Sequence, residues 1–193
     1  GIRLAMGKCF LYTPAEKVDT SCWSGEEAEK MITTVILSIV AMAGLFLLLL
    51  SAVAFIQDKR FFTSAPKEIQ AVIKEREERF PGAHALGWLL MALSLMIMVG
   101  AFAFGGWDGI IKGFTFWQFF QRFLTMLWLL KAFDILFFDL FLLCHSNFFP
   151  HFYPEIKEYV GPQQFGFNRQ SHMIQIAVCP AVALLSAACT LLF

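Results

Sequence analysis

Residues 114–143 read FTFWQFFQRFLTMLWLLKAFDILFFDLFLL. How often the chain crosses a membrane turns on this stretch. It is apolar over most of its length, yet it holds Gln118, Gln121, Arg122, Thr125, Lys131, Asp134 and Asp139. As a helix rising 1.5 Å per residue it would reach roughly 45 Å, more than a hydrocarbon core of about 30 Å. Its ends are therefore expected in the headgroup layers. Its charges are expected to turn inward, because a charge near the bilayer centre is costly unless it finds a partner.

The rest of the chain makes a bilayer the expected surrounding. Hydrophobic residues are 58% and charged residues 16% of the 193, against about 45–50% and about 25% in soluble domains. The 23 Phe exceed what a water-soluble core of this size needs, so the surplus apolar surface is expected to face lipid. The formal net charge is +0, and no concentrated basic face suggests nucleic acid as a partner. Neither low-complexity segments nor internal repeats are visible. Three further runs have spanning length: 31–56, containing the unbroken LFLLLLSAVAFI, then 85–105 and 173–193. The first is too long and lies too far inside the chain for a cleavable signal peptide. The expected fold is all-α: one domain, an integral membrane four-helix bundle with residues 114–143 at its centre.

The connections differ in character. Residues 57–84 are hydrophilic. Ser64 and Pro66 suit the start of a helix, and Ile69, Val72, Ile73, Arg76 and Phe80 fall on one side of it. This predicts a short amphipathic cytoplasmic helix at the membrane surface, with a solvated linker helix as the alternative. Residues 105–113, GGWDGIIKG, read as a turn. Basic residues set the orientation. Lys59, Arg60, Lys67, Lys74, Arg76, Arg79, Lys157 and Arg169 lie on one side, against Lys17, Lys30 and Lys112 on the other. Both termini are therefore expected outside, in an expected plasma-membrane setting. The polar residues 1–30 form an extracytoplasmic tail, in which Ser24 to Glu27 fits a capping box opening the first helix. Cys9 and Cys22 lie in this tail, where an oxidising space would permit a disulfide that neither spacing nor context demands.

At about 100° per residue on an α-helix, Gln121, Thr125, Trp128 and Asp139 share a stripe of the third span, flanked by Gln118, Arg122 and Lys131. Lys131 and Asp134 stand at i,i+3, a spacing that lets them neutralise each other. Asp139 sits near the cytoplasmic end, within reach of His145 or another helix. The stripe either holds helices together or lines a polar cavity for a ligand, ion or proton. Lys131, Asp134, Asp139, His145 and Arg169 are the candidate ligand-binding residues.

All four histidines, His84, His145, His151 and His172, fall on the predicted cytoplasmic side. Helices two, three and four would bring His84, His145 and His172 to one layer, where Asp139 and Glu155 would complete a nitrogen and oxygen shell for a divalent metal. HSNFFPH has no recognised ligand spacing, and histidine is also an ordinary interfacial residue. In the loop that follows, Pro150 and Pro154 oppose a regular helix. Phe148, Phe149, Phe152, Tyr153, Phe165 and Phe167 suit a headgroup anchor or the rim of a lipid-facing pocket. Ser146, Asn147, Lys157, Asn168 and Arg169 are placed to take a phosphate or carboxylate there. In the last span, Pro180 and its alanines permit a kink and close helix packing.

These features predict a protein that binds or transports a small amphipathic or anionic molecule or lipid in a polar, ionisable pocket of its cytoplasmic half. One rival is a membrane-embedded enzyme using Asp139, His145, His151 and His172 as ligands or acid–base groups. The other is an accessory subunit whose polar stripe meets a partner membrane protein.

Overall fold

The computed structural model describes residues 20–62, 65–74 and 78–192, and no strand occurs among them. Helix α1 covers Thr20–Leu50 and passes directly into a π-helix over Ser51–Ile56. A 3-10 turn at Lys59–Phe62 and a short α2 at Lys67–Val72 lead to α3 at Ala83–Ile111. Helix α4 covers Phe116–Phe133 and likewise continues as a π-helix, Asp134–Leu143. After α5 at Phe148–Phe152 and 3-10 turns at Pro154–Ile156 and Pro162–Gln164 comes α6 at Arg169–Thr190. The chain divides into residues 1–32 and 33–193. In the first unit Lys30 pairs with Glu27 at 3.3 Å across i,i+3.

Three helices, Glu27–Ile56, Ala83–Ile111 and Arg169–Thr190, are long and apolar enough to cross a membrane. The rod 116–143 is of similar length but carries Arg122, Lys131, Asp134 and Asp139. Contacts at two glycines show that α1 and α3 run antiparallel. A Cβ at Gly44 would meet Met98 at 2.8 Å, and one at Gly87 would meet Ile56 at 2.6 Å. Along the first rod the contacts run from 44 to 56 while along α3 they run from 98 to 87, so the two rods are antiparallel. Small residues here bring the two backbones close. One core gathers Leu37, Ala41, Ala101, Phe119, Phe123, Met126, Ala183 and Ala187. A second, toward the His172 end, holds Val53, Ile69, Ile73, Leu143, Cys144, Tyr153 and Ile156.

Several local expectations change. GGWDG is helical rather than a turn, because α3 continues to Ile111. Phe119 packs so closely against Gly109 that a Cβ there would clash with its ring. The turn falls later, where Gly113 has φ 65°. Ser24 falls within helix α1 rather than ahead of it. Among the described residues of the amphipathic segment, an α-helix covers Lys67–Val72. Its Ile69 and Ile73 are buried against Tyr153 and Ile156, so they pack on the protein and not on headgroups. Pro150 stands in the first turn of α5, where proline is tolerated. Tyr153 is fully buried and is a core residue rather than an anchor, whereas Phe165 is exposed. The expected roles of Ser64 and Arg76, and of a Cys9–Cys22 disulfide, lie outside the described residues.

Candidate functional site

A cavity of about 320 Å³ lies near the His172 end. The π-helical part of the α4 rod gives it Asp134, Phe138, Asp139 and Leu143, with Lys131 one turn earlier. Helix α6 gives Asn168, His172 and Gln175 from its N-terminal end. Leu48, Leu49, Ala52 and Val53 come from the first rod, two of them from its own π-helical segment. Phe61, Ala65, Pro66, Ile69, Phe149, Ile156 and Phe167 complete an apolar wall. The site thus lies between two π-helical segments, a geometry that recurs at functional sites.

The π-helix determines which charges face the cavity. Asp134 and Asp139 are five residues apart, and on an α-helix they would diverge by about 140°. A π-helix closes hydrogen bonds from i to i+5, which stacks such residues on one side. Both carboxylates therefore line the cavity. Each has one basic partner. Lys131 Nζ donates to Asp134 Oδ2 at 2.5 Å. His172 Nε2 lies 2.5 Å from Asp139 Oδ2 and joins α6 to the α4 rod. His172 is 8% exposed and its buried Nδ1 has no hydrogen-bond partner. Cys144 follows the rod; burial first, and the Asp139 charge second, push its thiol up.

A second, more polar space of about 560 Å³ adjoins the first and shares Ala65, Pro66, Phe167, Asn168 and Gln175 with it. Lys67, Glu68, Gln70, Gln164 and Ser171 complete its lining. Gln164 Nε2 donates to Glu68 Oε2 at 3.3 Å and ties α2 to the loop before α6. The polar space forms a vestibule to the largely apolar chamber.

The structure sorts the candidate residues. Lys131, Asp134 and Asp139 line the chamber together; His145 and Arg169 do not. His145 is exposed, with Nδ1 2.7 Å from the Leu140 carbonyl oxygen of its own rod. Arg169 is exposed at the first position of α6. The histidines have separate neighbours: His84 Nδ1 lies 3.2 Å from Glu78, His151 meets Phe152 edge-on, and His172 meets Asp139. Among the described residues no three of His, Cys, Asp and Glu are placed to hold a metal ion. Among the described residues, His84, His145, His151 and His172 therefore form no metal-holding group, each having a different neighbour. Gln121, Thr125 and Trp128 face away from the protein, so the stripe drawn on a uniform α-helix does not line the chamber. Asn168, expected to take a phosphate or carboxylate in the loop, lines the chamber, whereas Gln175 was not among the candidates. The signal for Gln175 was a helical spacing, 168, 172 and 175 on one face of the last helix.

A separate polar contact lies toward the Arg122 end. Arg122, 3% exposed, donates from Nη1 to the Gly105 carbonyl and to Asp108 Oδ2, each at 2.8 Å. Its guanidinium lies over the Phe114 ring at 4.2 Å from the centroid, and Lys112 holds the other Asp108 oxygen at 3.1 Å. This set ties α3 to α4, but Arg122 is absent from the chamber lining. Compared with known families, curated proteins and solved structures, the chain matches none of them.

Proposed function

We propose that this is a four-span membrane protein, with both termini outside, that binds or transports a small amphipathic molecule or lipid in the chamber at the cytoplasmic end of its bundle. The observation that carries the reading is the chamber itself. Among the described residues, about 320 Å³ of mostly apolar space has its ionisable groups, Lys131, Asp134, Asp139 and His172, on two neighbouring rods. Ligand sites combine apolar walls with a few placed polar groups in this way, typically with volumes of about 300–1,000 Å³. Ionisable groups on a membrane rod favour a functional role over a purely structural one. The two carboxylates weigh against an anion, the other ligand class that the sequence suggested.

Native mass spectrometry of gently extracted protein tests the reading. A bound amphiphile is expected on the wild type and is expected to be lost when the chamber is filled by Ala52→Phe. Protein that is ligand-free in both forms, and that takes up no added lipid, would end the proposal. A second reading, an accessory subunit, is supported by the outward-facing Gln121 and Thr125 on the same rod. Such side chains hydrogen-bond across helices in membranes. Cross-linking of Thr125→Cys to a partner helix would support it.

A further inference from the structure

We infer that the chamber's ligand is a monocationic amphiphile whose charge takes the place of a proton on the Asp139–His172 pair; the inference rests on the binding reading above. Among the described residues, the lining holds two carboxylates, Asp134 and Asp139, and one permanent cation, Lys131. With His172 neutral, the chamber therefore carries one negative charge in excess. A proton on His172 removes the excess, and so does a cationic headgroup. In surroundings this apolar, an uncompensated charge is costly, so the two occupants exclude each other.

The rest of the lining leaves this balance intact. Among the described residues, the first rod, the 61–69 segment and the loop before α6 contribute only uncharged residues to the chamber. In the vestibule, Lys67 and Glu68 offset each other, and Glu68 is held by Gln164. Cys144 lies near Asp139 and is neutral as a thiol. The polar vestibule suits passage of a headgroup, and the apolar wall receives a short alkyl chain. Proton and cation exchange one for one, so the loaded chamber is neutral with either occupant.

The test uses the full chain in zwitterionic nanodiscs and three probes with the same chain: octyltrimethylammonium, octyl sulfonate and octanol. The quaternary ammonium cannot itself titrate, so any pH dependence belongs to the protein. The expected result is that the cation binds at least about tenfold more tightly than the sulfonate. Its affinity is expected to fall with decreasing pH, by up to about tenfold per pH unit, as exchange against one proton requires. In Asp139→Asn the preference for the cation and its pH dependence should both disappear. Should that variant not yield a monodisperse particle, the charge preference and pH slope of the wild type still decide. Equal binding of cation and sulfonate, or cation binding that ignores pH, overturns the inference and leaves the amphiphile reading standing. Binding of none of the three probes removes both.

Discussion

His172 Nε2 stands 2.5 Å from Asp139 Oδ2, across 33 residues of sequence and between two helical rods. Both side chains are largely buried, and both line the chamber. Removing one partner leaves the other in apolar surroundings. Asp139→Ala and His172→Ala are each expected to destabilise by about 3 kcal/mol or more. The double variant should lose less than the two singles together, with a coupling of about 0.5–3 kcal/mol. Thermal unfolding of the four forms in one detergent measures this, and strict additivity would show that the pair carries no coupling.

Lys131 and Asp134 form the second pair, also at 2.5 Å. Here both groups belong to one rod, so neither joins two helices. Lys131→Ala and Asp134→Ala are expected to reduce ligand retention in native mass spectra. The double variant should recover stability, because it leaves no lone charge. Full ligand retention in all three variants would remove Lys131 and Asp134 from the site.

Gly87 is where α3 approaches the π-helical end of the first rod. An alanine Cβ would lie 2.6 Å from Ile56 and 2.9 Å from Phe55. Gly87→Ala is therefore expected to cost about 1–3 kcal/mol, as overpacking does. Gly100, on the same helix, has nothing within 4 Å. Gly100→Ala should instead be neutral or stabilise by up to about 1 kcal/mol through helix propensity. Equal melting temperatures for the two variants would contradict the close approach at Gly87.

Arg122 offers a guanidinium rather than a point charge to Gly105, Asp108 and the Phe114 face. Arg122→Lys keeps the charge but loses the planar fork and the stacking. It is expected to recover only part of the stability lost in Arg122→Ala. A lysine variant that melts like the wild type would mean that charge alone suffices.

The sequence by itself determined the helical rods, because runs of about 20 apolar residues satisfy their backbone hydrogen bonds internally. It also made the Lys131–Asp134 pair legible, since i,i+3 neighbours meet through local geometry. Only the tertiary structure decided the chamber. A uniform 3.6-residue period drew a stripe through Gln121, Thr125, Trp128 and Asp139, and the rod instead turns π-helical at Asp134. That change of period carries Asp139 to the side of Asp134, while Gln121 and Thr125 stay outside. The partner of Asp139 was equally hidden. No sequence spacing selects His172 over His145, because the choice depends on which rod lies alongside and which residue of it reaches that depth.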